Sequence, residues 1–140
     1  MSHPQHVPDD LVAAFRAHLS GDAEEAPSRT GRRAYQAFVG AMFTEAVRRR
    51  LGRHPGEARI IGFVADLRTL SDELADALDP DATERLIAAV DADAGNIDGE
   101  RALRTRSIVL VAIIRGEHLD PAELDVFLER SRTLANGILG

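Results

Sequence analysis

Three segments of the chain carry the same signal for the start of an α-helix. In each of them an apolar residue precedes an aspartate that can cap the helix that follows: Leu78-Asp79-Pro80, Ile97-Asp98-Gly99 and Leu119-Asp120-Pro121. The third is the fullest, because proline suits the first helical position and Glu123 can complete a capping box with Asp120. These signals predict helices at about 80–93, 99–115 and 121–136.

Apolar residues in the first half of the chain recur at helical spacing. Leu11, Phe15 and Leu19 lie four residues apart, which places them on one face of a short first helix. Broader apolar stripes predict two further helices, at 32–51 and 57–78.

Two polar stretches fall outside the predicted helices. Residues 1–8 contain two prolines, which predicts a disordered leader, and residues 21–31 contain Pro27 and two glycines, which predicts a mobile loop. A chain of 140 residues is of the usual size for one domain. We therefore predict an all-α fold, a single-domain bundle of five to six helices over residues 9–140.

The run from Ile108 to Ile114 is the segment that also suits a β-strand, because it is rich in β-branched residues. Its only plausible pairing partner is 60–64, and an isolated two-stranded sheet is marginally stable. Helical patterns on both sides favour a helix. A helix that is apolar on all its faces belongs in a protein interior, so the helix at about 99–115 is predicted to be the buried centre of the bundle.

Five apolar residues within 57–78 recur at intervals of three and four, the spacing of a coiled-coil seam: Ile60, Phe63, Leu67, Leu70 and Leu74. The repeat covers barely two heptads. This length favours packing inside the bundle, and a dimer seam is the alternative.

The composition excludes several classes of chemistry. The chain has no cysteine, which excludes disulfides, thiolate nucleophiles and cysteine-based metal sites. All 17 basic residues are arginine, and the lack of lysine excludes Schiff-base chemistry and a phosphate-loop lysine. Motifs of the serine hydrolases, zinc proteases and di-iron bundles are also missing.

With no signal peptide and no apolar run near the ~20 residues that span a bilayer, we expect a cytoplasmic protein without membrane insertion.

The charge is distributed unevenly along the chain. Residues 1–53 contain 8 arginines and 6 acidic residues, whereas residues 54–140 contain 9 arginines and 17 acidic residues, so the two parts carry +2 and −8. The net charge of −6 argues against general nucleic-acid binding. The candidate interaction residues are the clustered arginines of the first part, which contrast with the acidic stretch 66–100: Arg29, Arg32, Arg33, Arg48, Arg49, Arg50 and Arg53.

The segment AVDADAGNIDGE, which ends at Glu100, resembles an EF-hand loop from which two residues have been deleted. The resemblance implies a divalent-cation site formed by Asp91, Asp93, Asp98 and Glu100, since calcium prefers carboxylate and carbonyl oxygens. The alternative is a capped connection between two helices, whose acidic side chains remain in water. Apart from this possible divalent cation, no cofactor is expected.

The turn from Gly116 to Glu123 looks like the helix turns of tellurite-resistance-type helical modules, and Gly95 to Glu100 looks like a shortened version. That resemblance implies a metal-linked function in membrane-stress signalling. Helix capping alone also generates this pattern.

Arg49 and His54 have the R-x4-H spacing, which resembles the catalytic motif of the all-helical HEPN ribonucleases, where dimerisation pairs the motifs. The resemblance implies RNA cleavage by these two residues. The alternative is the end of a helix, in which arginines complement the helix dipole, Gly52 follows the last turn and Pro55 prevents continuation.

The lack of catalytic motifs beside strong bundle patterning favours a non-catalytic interaction or regulatory module. We expect it to be homodimeric and to act through protein–protein contacts, with another protein or with a second copy. The alternatives are a small divalent-metal sensor and a HEPN-like ribonuclease.

Overall fold

A computed structural model describes residues 6–23, 32–90 and 99–140 of the chain. These residues form seven α-helices and no β-strand, which confirms the all-α prediction. The helices are α1 (Asp9–Leu19), α2 (Arg32–Leu51), α3 (Glu57–Thr69), α4 (Asp72–Ala77), α5 (Pro80–Ala88), α6 (Gly99–Glu117) and α7 (Pro121–Leu139).

The number of helices differs from the predicted five to six, because the single helix expected at 57–78 is divided into α3 and α4. The break lies at Leu70 and Ser71. Ser71 adopts an extended backbone with φ −160° and ψ 159°, and its hydroxyl accepts a hydrogen bond from the backbone N–H of Leu74. A serine that caps a new helix therefore divides the predicted helix at this point, although the apolar spacing continues through it.

Two of the three predicted aspartate caps are formed. Oδ2 of Asp79 accepts a hydrogen bond from the backbone N–H of Ala82 at 2.8 Å. Asp120 forms a capping box with Glu123, in which each side chain accepts from the other residue's backbone N–H. The third predicted cap, Asp98, lies outside the described residues, as do residues 91–93 at the predicted end of the helix at 80–93.

Helix α2 contributes the largest number of buried side chains, and it packs against both α6 and α7. The helix at 99–115 was expected to occupy the centre. The run from Ile108 to Ile114 is helical, as preferred over a strand, but α6 buries one face only, and Ile108, Val111 and Ala112 are partly exposed. Arg101 and Arg104 are also exposed on α6, so α6 is not the buried centre. The centre of the bundle is α2, which buries the most side chains and packs against both α6 and α7.

Most residues of the predicted coiled-coil seam pack within the bundle. Ile60, Phe63 and Leu67 are buried, on the helix α3 that packs against α4 and α5. Leu70 follows the end of α3 and is 67% exposed, and Leu74 is partly buried on α4. The interpretation as packing within the bundle is therefore confirmed, and a continuous dimer seam is not available.

The fold extends beyond Asp9, the predicted start of the domain, because Val7 is fully buried in the hydrophobic core. Residues 1–5 of the predicted leader and residues 24–31 of the predicted mobile loop lie outside the described residues. Gly21, at the start of that loop, follows α1 with a φ of +86°. None of the described helices combines the length and apolar character needed to cross a membrane.

Candidate functional site

The C-terminal end of α2 carries the arginine run of the sequence analysis. The helix ends as predicted at Gly52, whose φ of +77° favours glycine and whose backbone N–H donates to the carbonyl of Arg48 at 2.8 Å. The chain then turns into α3 through His54, which also has a positive φ of +53°. Arg48, Arg49 and Arg53 lie beside α7, whereas His54 lies on the side of α3 and α5.

A cavity of about 410 Å³ lies between the end of α2 and the middle of α7. We call it the arginine groove, and its lining residues are Glu45, Arg48, Arg49, Gly52, Arg53, Val126, Phe127 and Arg130. Four arginines thus face one described carboxylate. Val126 is 58% exposed, so the groove also offers an apolar contact.

The arginines of this groove differ in how they are neutralised. Nε of Arg49 lies 3.1 Å from Oε2 of Glu117, and its Nη2 lies 3.5 Å from Oε2 of Glu123. Arg53 and Arg130 form no ion pair with any residue that the structure describes. Two guanidinium groups in the groove therefore retain charge that a partner can neutralise.

Arg49 and His54, the pair suggested by the ribonuclease resemblance, do not line the same cavity. Arg49 lines the arginine groove, whereas His54 lines a cavity of about 650 Å³ between α3 and α5. Glu57 and Glu84 line that second cavity, together with apolar side chains such as Ile60. Within one chain, an RNA phosphate in either cavity would therefore have only one of the two residues beside it.

The remaining predicted interaction arginines are dispersed. Arg50 lies over the ring of Phe63, with its Cζ 5.5 Å from the ring centroid, so it stabilises the contact between α2 and α3. Arg33 lines a separate cavity on the other side of α2. Arg32 pairs with Glu100, and Arg29 lies outside the described residues. The predicted surface therefore reduces to Arg48, Arg49 and Arg53, and Arg130 of α7 joins them.

The predicted cation site falls mostly outside the described residues, since Asp91, Asp93 and Asp98 are not among them. Glu100 is described, and its Oε1 lies 3.0 Å from Nη2 of Arg32. In the three described ranges, no group of three or more His, Asp or Glu side chains is arranged to hold a metal ion.

The acidic stretch forms a surface on α4 and α5, defined here as Asp72, Glu73, Asp76, Asp79, Asp81 and Glu84. Except for Asp79, which caps α5, these carboxylates form neither a hydrogen bond nor an ion pair within the described part of the chain. Arg68 lies nearby, but its guanidinium donates to the carbonyls of Leu78 and Ala75. The acidic surface therefore keeps its negative charge.

Sequence reasoning did not identify two of these features. Arg130 lies far from the arginine run of α2 in the sequence, and only the packing of α7 on α2 brings it into the arginine groove. Arg106 of α6 lines the same cavity as Arg33. The spacing of apolar residues along α6 does not indicate that Arg106 is half-buried.

No family model matches this chain, and neither the curated proteins nor the solved structures contain a match to it. Function is therefore inferred from geometry and charge.

Proposed function

We propose that the protein is a non-catalytic interaction module that forms a homodimer, in which the arginine groove of one copy binds the acidic surface of the other. The observation that carries the proposal is the pair of opposite charges left unneutralised on two surfaces of one fold. Arg53 and Arg130 lack ion pairs with described residues, and so do the exposed carboxylates of α4 and α5 such as Glu73 and Asp76.

Each of the two surfaces has an exposed apolar residue beside its charges. Val126 lies in the arginine groove and is 58% exposed, and Leu70 precedes α4 and is 67% exposed. Specific interfaces combine an apolar centre with a polar rim, and the buried centre supplies most of the affinity. The exposed Val126 and Leu70 give each charged surface such a centre.

A two-fold symmetric dimer is the arrangement that leaves neither surface free. In such a dimer each copy uses both of its surfaces, which gives two identical contacts. If two copies made only one of these contacts, each would keep a free surface and further copies would add to form a linear assembly. Attraction between exposed charges is screened by salt, with a Debye length of about 10 Å at 0.1 M. The dimer should therefore weaken as ionic strength rises.

The test is size-exclusion chromatography with light scattering, at low salt and at about 0.5 M salt, of the wild type and three variants. Arg130→Glu reverses a charge in the groove, Glu73→Arg reverses one on the acidic surface, and Arg59→Glu is the matched control. Arg59 is exposed on α3 and forms no ion pair with a described residue.

We expect a dimer at low salt whose dissociation constant rises at least ten-fold in Arg130→Glu and in Glu73→Arg, but not in Arg59→Glu. An equimolar mixture of the two weakened variants should form a heterodimer, because each reversed charge then meets its opposite. A wild-type protein that is monomeric at both salt concentrations would refute self-association. A dimer that neither reversal weakens would show that other surfaces form the interface.

A further inference from the structure

A cavity of about 370 Å³ lies between α2, α5, α6 and the end of α7. It shares no residue with the arginine groove or the acidic surface. Its charged lining residues are Arg33 and Arg106, and its polar ones include Gln36 and Thr44. None of the described residues that line it has a carboxylate, so the charge that these residues give the cavity is positive.

Arg106 is half-buried, and its guanidinium forms neither a hydrogen bond nor an ion pair within the described ranges. Burial lowers the pKa of this side chain from its ordinary value. Two other half-buried arginines are satisfied differently: Arg68 donates to two backbone carbonyls, and Arg132 donates to the carbonyl of Val7 and pairs with Asp9. A desolvated cation without such a partner is unfavourable.

The rest of the lining is apolar. Phe43, Leu86 and Leu139 are buried, and Ile138 is 61% exposed. Small-molecule sites typically have volumes of about 300–1,000 Å³, apolar walls and a few polar groups that fix the orientation of the ligand. The volume of this cavity lies at the lower end of that range, which suits a ligand of modest size rather than a long-chain lipid.

We propose that this cavity binds an aliphatic monocarboxylate of medium chain length. The planar guanidinium of Arg106 matches the two oxygens of a carboxylate, and it can donate two parallel hydrogen bonds to them. Arg33 supplies a second positive charge, and the aliphatic chain lies against Phe43, Leu86 and Ile138. The ligand thus gives Arg106 the anionic partner that the described fold does not provide.

Gly40 lines the cavity from α2, and a Cβ atom added to it would meet no atom within 4 Å. A larger side chain at this position can therefore grow into the cavity and occupy the place of the ligand. Gly62 on α3 also has no atom within 4 Å of such a Cβ, and it lines none of the cavities described above. Gly40→Leu and Gly62→Leu are therefore a matched pair, since both replace a helical glycine.

The test is isothermal titration of the full chain with octanoate, and the comparison ligands are octanol, acetate and octyl phosphate. We expect saturable binding of one octanoate per chain and at least ten-fold weaker binding of octanol and acetate. Arg106→Gln should weaken octanoate binding at least ten-fold. Gly40→Leu should abolish it, and Gly62→Leu should bind as the wild type does. Circular dichroism verifies that each variant is folded.

Absence of saturable octanoate binding to the wild type would overturn the proposal. It would also be overturned if Arg106→Gln and Gly40→Leu bound octanoate as tightly as the wild type does. If octyl phosphate bound and octanoate did not, the assignment to carboxylates would be overturned. These outcomes do not depend on the homodimer, because the titration reports a site on a different part of the fold.

Discussion

The backbone N–H of Val7 donates a hydrogen bond to Oδ1 of Asn136 at 2.8 Å, although the two residues are 129 positions apart in the sequence. On the other side of the same residue, the carbonyl of Val7 accepts a hydrogen bond from Nη2 of Arg132 at 2.7 Å. The side chain of Val7 is fully buried. Val7, which precedes the N-cap residue of α1, is therefore held by α7 and completes the core.

Val7→Ala should lower the free energy of unfolding by about 2 kcal/mol, because it removes two buried methyl groups and leaves a cavity. Urea denaturation measures the change. His6→Ala is the control, since His6 is exposed and its replacement should alter stability by no more than about 0.5 kcal/mol. Equal stability of Val7→Ala and the wild type would mean that this segment does not pack on α7 in solution.

Asp120→Ala should lower the free energy of unfolding by about 1 kcal/mol, the usual effect of losing an N-cap. Oδ1 of Asp120 accepts from the backbone N–H of Glu123 at 2.8 Å, and alanine leaves that donor without its partner. Glu129→Ala is the matched control, because Glu129 is exposed on the same helix and forms no ion pair with a described residue. Thermal or urea unfolding of both variants gives the comparison, and an equal loss in the two would contradict the capping role.

Local signals made most of the helices predictable. The caps at Asp79 and Asp120 depend on residues within one turn, so the starts of α5 and α7 follow directly from the sequence. The break at Ser71 was harder to predict, because the apolar spacing from Ile60 to Leu74 continues through it. The extended backbone of Ser71 and the hydrogen bond from the N–H of Leu74 to the Ser71 hydroxyl show that a new helix begins there.

The surfaces were predictable only where their residues are adjacent in the chain. Arg48, Arg49 and Arg53 were identified as a cluster, and they do line one groove. Arg130 could not be assigned to it, because helix crossing geometry decides which face of α7 meets α2. The burial of Arg106 depends likewise on packing among α2, α5 and α6, which a periodic pattern does not specify.

His118→Gly should be more stable than His118→Ala by about 1 kcal/mol. His118 has a φ of +50° in the turn between α6 and α7, where a side chain costs roughly 1–2 kcal/mol and glycine costs less. Both variants remove the imidazole, so their difference isolates the backbone conformation. Urea denaturation of the two variants measures it. Greater stability of the alanine variant would show that position 118 does not keep this conformation in solution.

Arg106→Met should raise the free energy of unfolding of the ligand-free protein by about 1 kcal/mol, because it keeps an apolar stem and removes a half-buried charge without a described partner. Arg68→Met is the control and should lower stability, since it removes the donor to the carbonyls of Leu78 and Ala75. Urea denaturation without added carboxylate compares the two. If Arg106→Met lost as much stability as Arg68→Met, Arg106 would already have a partner in the fold, and the cavity would lack the cation that a carboxylate requires.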